Sequence, residues 1–285
     1  MSLELLFLGT GTSAGVPMIG CRCAVCTSND TRDQRTRASV LITYPNSTHD
    51  SDMSEPRRIL IDTAPEMRMQ MIRHGIDHVD GVIYTHTHAD HIFGLDDLRR
   101  INALTERPID VYAEQESIDT LRSMFRYIFD SQSNVNQSFV PALVTRPLQP
   151  GVKVELHGAQ WTPLRLVHGR LPVLGFRVDH AGPDGKLQSL AYCTDVSGVP
   201  PETLPSLANL DVLVIDGLRY RHHPTHFTVD QALEVIHQVK PRQAYLTHIA
   251  HDIMHADLEA KLPENVAIAY DGLVVRCNRN TIQRK

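Results

Sequence analysis

The segment Tyr-Thr-His-Thr-His-Ala-Asp-His at 84–91 is the part of the chain most able to do chemistry. The side chains in it that are able to bind a metal are those of His86, His88, Asp90 and His91. The apolar run at 80–84 predicts a short buried strand, and a helical pattern begins at Ile92. The motif therefore falls on a strand-to-helix loop, where ligands can converge on an ion. Imidazole with carboxylate suits zinc, manganese or iron. A solvated histidine-rich loop is the alternative, which this spacing disfavours.

Three apolar runs further along the chain also end at residues of ligand type. The runs at 164–167, 190–194 and 243–247 are followed by His168, Asp195 and His248. A single histidine in such a place usually belongs to the core or to a sheet edge, but three such ends beside the first motif indicate a shared site. The seven side chains suffice for two metals, about 3.5–4 Å apart, that share one carboxylate.

A second cluster lies near the N-terminus, immediately after a glycine-rich stretch. It consists of Cys21, Cys23 and Cys26. Three thiolates and one further ligand form a closed tetrahedral zinc site, which is structural because it leaves no coordination position open. The candidates for the fourth ligand are His251, Cys193 and Cys277. We favour His251, because the segment 247–251 would then supply one histidine to each site. Free cysteines are the alternative, and an odd count of five disfavours a disulfide.

Composition sets the class of protein. The 285 residues are 42% hydrophobic, which predicts one large core and a single domain over 1–285, with a cysteine-rich zinc loop inserted near residues 21–26. A net charge of -5 makes a nucleic-acid partner unexpected, because such surfaces are usually basic. Arginines 32, 35 and 37, and 99 and 100, still form local basic runs. Such runs are as a rule solvated, but beside a metal site they could hold a phosphate.

The sequence also predicts a location. No apolar stretch approaches the ~20 residues needed to span a bilayer, so no membrane partner is expected. The chain enters a strand at Leu3 without a basic segment and cleavage site, so we expect no signal peptide. The expected location is the cytoplasm. A homodimer is left open.

Several local elements follow from the patterns. Strands are predicted at 39–43 and 58–62, joined by an exposed polar loop at 45–56. Helices are predicted at 65–74, with Met67, Met69 and Met71 packed on a sheet, and at 117–129. A further helix is predicted at 229–239, with Thr228 as N-cap and Gln231 completing a capping box. Phe125, Tyr127 and Phe129 are assigned to core packing, with a substrate pocket as the alternative.

These motifs together resemble the metallo-β-lactamase superfamily in its binuclear hydrolase form, over nearly the whole chain. The resemblance implies an α/β fold, a four-layer αβ/βα sandwich with the metals at the edge between two sheets. It implies that one ion is held by His86, His88 and His168. The other would be held by Asp90, His91 and His248, with Asp195 bridging the two. Asp62, after the run at 59–61, matches an early aspartate that orients the histidine loop.

One branch of the superfamily is especially similar. The cysteine cluster, the glycine-rich stretch at 8–17 and the His248/His251 pair resemble the phosphodiesterases of the carbon–phosphorus lyase pathway, which open the cyclic phosphate of phosphoribosyl 1,2-cyclic phosphate. His226 matches a histidine that lies beside the metals without ligating them. It would protonate the leaving oxygen or stabilise phosphoryl oxygens, because imidazole titrates in a suitable range. A helix-terminal surface histidine is the alternative for His226 and the preferred interpretation of His222 and His223.

The resemblance implies a function. We expect two catalytic divalent metals, zinc or manganese, one structural zinc, and hydrolysis of a small phosphodiester by a metal-bridging hydroxide. Asp195, Asp62 and His226 are the expected catalytic residues. One alternative is hydrolysis of a lactone, thioester or other ester at the same site. Less favoured are a biosynthetic accessory protein, similar to the pyrroloquinoline quinone homologue that shares the cysteines, and an RNA-processing nuclease, whose long basic arm has no counterpart here.

Overall fold

The computed structural model describes residues 2–46 and 55–277 and contains two seven-stranded mixed sheets. The first sheet has the order β14-β1-β2-β3-β4-β5-β6. Its strands are β1 (Glu4–Gly9), β2 (Ser39–Tyr44), β3 (Arg57–Ile61), β4 (Gly81–Ile83), β5 (Ile109–Glu114), β6 (Leu143–Leu148) and β14 (Val274–Arg276). The second sheet has the order β13-β12-β11-β10-β9-β8-β7. Its strands are β7 (Val154–Leu156), β8 (Ala159–His168), β9 (Leu171–Ala181), β10 (Leu187–Cys193), β11 (Val212–Asp216), β12 (Gln243–Thr247) and β13 (Val266–Ile268).

Helices cover the outer face of each sheet. They are α1 (Met67–His74), α2 (Ala89–Ile92), α3 (Leu98–Thr105), α4 (Gln115–Met124), α5 (Arg126–Phe129), α6 (Val229–Val239) and α7 (His255–Glu259). The first five share an apolar cluster with the outer face of the first sheet. The last two pack in the same way on the second sheet. The layers are therefore helix, sheet, sheet, helix, which confirms the predicted four-layer α/β fold.

The alternation of side chains along each strand builds the three layers of core. In β2, Val40 and Ile42 point into the space between the sheets, whereas Leu41 points to the helices. Successive strand residues face opposite sides of a sheet, so a strand covered on both faces is apolar throughout. Trp161 and Phe176 pack edge to face at the centre, with ring centroids 6.3 Å apart.

Three of the predicted elements, the strands β2 and β3 and the helix α6, are found within one residue of the expected places. β2 and β3 pair antiparallel, and residues 47–54 of the loop between them lie outside the described residues. The helix α6 has the predicted bounds. The Thr228 hydroxyl accepts from the Gln231 backbone N–H, and the Gln231 side chain accepts from the Thr228 backbone N–H. This capping box satisfies two donors that the first turn of the helix would otherwise leave free.

Two local predictions are wrong. The helix predicted at 117–129 is interrupted at Phe125, which has a ψ of 44° and separates α4 from α5. In α1, Met67 and Met71 are buried, but the side chain of Met69 is 52% exposed. A helix turns about 100° per residue, so residues four apart share a face while the residue midway between them points away.

Within the described residues, none of the helices combines the length and the apolar character that a membrane crossing requires.

Candidate metal centre

The ligand-type residues meet at the edge of the two sheets where several strands end. One group of ligand atoms comes from His86, His88, His168 and Asp195. A second group comes from Asp90, His91, Asp195 and His248. The atoms within each group all lie within 4.8 Å of one another. The motif at 84–91 follows β4 of the first sheet. In the second sheet, His168 is the last residue of β8, and Asp195 and His248 lie just beyond the ends of β10 and β12. The sequence-predicted residues therefore come together in space.

Asp195 belongs to both groups and directs a different oxygen to each. Its Oδ2 lies 3.9 Å from His86 Nε2. Its Oδ1 lies 3.3 Å from His91 Nε2 and 3.3 Å from His248 Nε2. A carboxylate with one oxygen toward each group has the geometry that a bridging ligand requires.

The backbone is in the left-handed region at three residues of the centre. Asp62, Asp195 and His248 have φ angles of 61°, 53° and 59°. They stand just beyond the ends of β3, β10 and β12. A non-glycine residue in this conformation costs on the order of 1–3 kcal/mol and persists where the surroundings enforce it. The turn redirects each side chain from its sheet toward the centre.

Asp62 holds the loop at 84–91 in place through hydrogen bonds. Its carboxylate accepts hydrogen bonds from the Thr85 backbone N–H at 2.9 Å and the Thr85 hydroxyl at 2.8 Å. It also accepts from His91 Nδ1 at 2.7 Å. Burial raises the pKa of Asp62, although His91 and Thr85 oppose that rise. Because His91 Nδ1 is held by Asp62, Nε2 is the nitrogen that faces Asp195.

The described residues leave several polar atoms of the centre without a hydrogen bond. They are Asp90 Oδ2, His91 Nε2, and both ring nitrogens of His248. Each such buried atom costs about 1–3 kcal/mol. Burial opposes a charge on His248, but the carboxylates of Asp195, Asp90 and Asp216 together outweigh it and raise the pKa of His248 to about 9. A divalent cation would satisfy Asp90 Oδ2, His91 Nε2 and one ring nitrogen of His248 and would compensate the carboxylates, so the donor set fits zinc or manganese.

His226 lies beside both groups and is held by a residue that sequence reasoning missed. Its Nδ1–H donates to Asp216 Oδ2 at 2.6 Å, and the same oxygen accepts from the Val196 backbone N–H at 3.0 Å. The His226 ring is 4.6 Å from that of His168 and 4.7 Å from that of His248. Asp216 ends the apolar strand β11, so the signal that identified the other strand-end residues was available here too.

His251 lies with the cysteine cluster. Its Nδ1 is 3.4 Å from Cys21 Sγ and 3.4 Å from Cys23 Sγ. The four residues Cys21, Cys23, Cys26 and His251 form a metal-capable group. Cys193 and Cys277 are buried in two other apolar clusters instead.

The thiols of this cluster differ in acidity. The Cys26 backbone N–H and then His251 lower the pKa of Cys23 to about 6. Burial raises the pKa of Cys26 to about 11. A bound cation would favour both thiolates, so the donor set fits a tetrahedral zinc.

Four of the five arginines in the two basic runs, at 32–37 and at 99–100, have anionic partners. Arg35 is buried and pairs with Asp33 at 2.9 Å. Arg32 pairs with Asp30, Arg37 with Glu66, and Arg99 with Asp96. For these four arginines, the sequence-based suggestion of a bound substrate phosphate therefore finds no support in their contacts.

Comparison with known proteins gives the family. Residues 57–249 match the model of the beta-lactamase superfamily domain. The chain belongs to the metallo-β-lactamase superfamily. Within the superfamily it is 35% identical to a protein whose crystal structure is described as that of a new diphosphatase from the PhnP family. That likeness covers 96% of this chain and 97% of the other, with a TM-score of 0.82.

Two further proteins that are similar to this chain bear other names. The chain is 37% identical over 273 residues to a protein named octanoyltransferase from Porphyromonas gingivalis (strain ATCC BAA-308 / W83). That match covers 95% of this chain and 51% of the relative, so the chain spans about half its length. The crystal structure of Zn²⁺-bound PqqB from Methylobacterium extorquens has a TM-score of 0.73 at 17% identity, over 95% of this chain and 99% of that one. At this identity the likeness concerns the fold.

Proposed function

We propose that this protein is a binuclear metal-dependent phosphohydrolase acting on a small phosphodiester. One observation carries the proposal, namely that the Asp216–His226 pair lies directly beside two ligand groups that share Asp195. The superfamily is a family of metal-dependent hydrolases, and the similar PhnP-family diphosphatase points to phosphorus–oxygen bonds. Because one fold serves several substrates, the site rather than the fold supports the choice.

The ligands divide between two ions as the resemblance implied. His86, His88 and His168 would hold one ion. Asp90, His91 and His248 would hold the other, and Asp195 would hold both. When bound, two zinc or manganese ions supply an acidified water and neutralise charge on the phosphoryl oxygens.

The protein's own residues supply orientation and a proton. Asp216 accepts the Nδ1–H of His226, which leaves Nε2 as the nitrogen available to the substrate. With both ring nitrogens protonated, His226 could give its Nε2 proton to the leaving oxygen and return to the neutral form. Asp62 holds His91 and Thr85 in place by hydrogen bonds. The loop at 84–91, which carries four of the candidate ligands, therefore keeps its orientation toward the centre. Asp62 and Asp216 therefore act as positioning residues.

A substrate panel tests the proposal directly. We expect the metal-loaded protein to hydrolyse bis(p-nitrophenyl) phosphate and a nucleoside 2′,3′-cyclic phosphate. Activity on neither substrate, in protein with a full metal complement, would contradict the phosphodiester assignment. A nucleoside diphosphate belongs in the panel because the similar diphosphatase makes a phosphoanhydride the second candidate substrate.

A third candidate substrate is an acyl ester or thioester. The relative named octanoyltransferase favours an octanoyl group for this comparison. If the proposed function is correct, an octanoyl thioester and an octanoyl p-nitrophenyl ester should be hydrolysed more slowly than the phosphodiesters. Faster turnover of the octanoyl compounds than of every phosphorus compound would favour this alternative.

The metal content is the first prediction. Seven candidate ligands for a metal pair and four for a zinc lead us to expect close to three metal ions per chain. Elemental analysis of protein purified without chelator measures the number. A value of one or fewer would contradict the assignment of both sites.

The cysteine cluster leads to a second prediction. Cys23→Ser should lose one zinc per chain and unfold at a lower temperature, because a closed cysteine-rich site contributes folding free energy. Turnover per folded molecule should fall much less. Cys277→Ser is the matched control, since Cys277 is buried outside the cluster and its replacement should leave the metal count unchanged. A Cys23→Ser variant with normal thermal stability and no activity would show that the cluster is catalytic.

A further inference from the structure

The loop between β11 and α6 carries a further histidine to the edge of the metal centre. The sequence favours a surface position for His222 and His223, and His222 is exposed, but His223 is half-buried. The ring of His223 packs against that of His226, with centroids 5.1 Å apart and planes at 53°. The His226 ring lies in turn 4.6 Å from that of His168 and 4.7 Å from that of His248. His223 thus joins two candidate metal ligands around His226.

Hydrogen bonds from the metal centre hold this loop in place. The backbone carbonyl oxygen of Thr225 accepts from Nδ1 of the candidate ligand His168 at 2.7 Å. Two residues further along, the Phe227 backbone N–H donates to the carbonyl oxygen of Val196 at 2.7 Å, next to the shared carboxylate in the chain. The segment that follows His223 is therefore bonded to residues of the site itself, and the position of His223 depends on those bonds.

Thr225 also decides which nitrogen of His223 carries the hydrogen. The Thr225 backbone N–H donates to His223 Nδ1 at 3.4 Å, and the Thr225 hydroxyl lies 3.1 Å from the same nitrogen. A ring nitrogen that accepts an N–H carries no hydrogen, so the hydrogen of the neutral ring is on Nε2. Burial, and then His226 and Arg219, lower the pKa of His223, although Asp216 opposes that shift. The neutral ring is therefore favoured, and it offers an Nε2–H donor.

The two neighbouring histidines each keep one nitrogen available. His226 uses Nδ1 for its bond to Asp216, and His223 uses Nδ1 for its contacts with Thr225. Within residues 2–46 and 55–277, neither Nε2 has a hydrogen-bond partner, and both retain contact with solvent. N–H···O bonds span about 2.9 Å, so one tetrahedral phosphoryl group can contact both rings at a centroid separation of 5.1 Å.

We propose that His223 is a phosphate-binding residue of the active site, whose Nε2–H donates to a non-bridging oxygen of the phosphoryl group. The inference rests on the proposed function, because it takes the phosphorus to lie at the metal centre beside His226. A donor directed at an oxygen that gains charge during the reaction stabilises the transition state. His226 then serves the leaving oxygen, and His223 serves an oxygen that stays on phosphorus.

Two substitutions of His223 separate the roles of its two nitrogens. The side-chain oxygen of Asn can take the place of Nδ1 and keep the contact with Thr225, but Asn provides no donor at the position of Nε2. The side-chain nitrogen of Gln can take the place of Nε2 and keep the donor. We expect His223→Asn to lower kcat/KM at least about tenfold and His223→Gln to stay within about threefold of wild type, because only the former loses a hydrogen bond to a charged group. His223→Ala should resemble His223→Asn.

The leaving group distinguishes this role from that of His226. The loss in His223→Asn should be the same on bis(p-nitrophenyl) phosphate and on a nucleoside 2′,3′-cyclic phosphate, because the non-bridging oxygens are common to both. A loss confined to the cyclic phosphate would overturn the proposal and place His223 in the proton path of His226. Loss of a catalytic metal from His223→Asn, or an equal loss of activity in His223→Gln, would also overturn it, since His223 would then only support the loop.

A binding measurement separates this inference from the proposed function. Inorganic phosphate should bind the metal-loaded His223→Asn variant at least about tenfold more weakly than wild type, as measured by calorimetry, whereas His223→Gln should bind it nearly as tightly. The matched control is His222→Ala, an exposed histidine of the same loop, which should bind phosphate as wild type does. If the wild type hydrolyses no phosphodiester but the variants show this pattern, the proposed function fails and the role of His223 stands. Equal affinities in wild type and His223→Asn, or no binding of phosphate by wild type, would remove that role whatever the activity.

Discussion

Asp195→Ala is expected to abolish hydrolysis and to remove both catalytic metals while the zinc at the cysteine cluster remains. Asp195 Oδ2 faces one ligand group and Oδ1 the other, so its loss takes one ligand from each. It also leaves His91 and His248 without their nearest shared carboxylate. We expect activity to fall by at least about three orders of magnitude, because charge stabilisation and the activated water both depend on the metals. Steady-state kinetics and elemental analysis of the same preparation measure the two effects.

A matched control separates this effect from general destabilisation. Asp179 is another buried carboxylate, paired with Arg177 at 2.8 Å on β9. Asp179→Ala should unfold at a lower temperature but keep three metals and wild-type turnover per folded molecule. If Asp195→Ala instead retained both catalytic metals and most of the activity, Asp195 would not bridge the two groups.

His226→Ala is expected to keep its metals and to lose activity in a way that depends on the leaving group. On a substrate with a poor leaving group, the rate should fall by about two to four orders of magnitude, the usual contribution of a general acid. On bis(p-nitrophenyl) phosphate the loss should be much smaller, because p-nitrophenolate leaves without a proton. The exposed neighbour His222 offers the control, and His222→Ala should resemble wild type on both substrates.

Asp216→Asn should share this dependence on the leaving group with a smaller loss, since the imidazole remains but its orientation weakens. In the double variant that combines His226→Ala with Asp216→Asn, the losses in rate should not add, because the two residues act as one unit. Equal losses of His226→Ala on both leaving groups would leave His226 as a residue that positions the phosphate. Loss of a metal from His226→Ala would make it a ligand, for which its proximity to Asp216 and His248 is suited.

The features of this molecule that depend only on neighbouring residues could be predicted from the sequence. The motif at 84–91 places its four candidate ligand residues within six positions of the chain, so its interpretation does not depend on the fold. The apolar runs before His168 and His248 predicted strands that end at the centre, because strand periodicity is a local property. The capping box of α6 is local in the same way. The four-layer fold followed from the resemblance that these motifs carry.

Only the tertiary structure decided which distant residues meet. Strand order and register bring Asp216 to His226 and place His251, rather than Cys193 or Cys277, against Cys21. The left-handed turn at Asp195 sends its two oxygens to different groups. Contacts between residues far apart in the chain depend on the packing of whole sheets and helices, and no periodicity within a single segment carries that information.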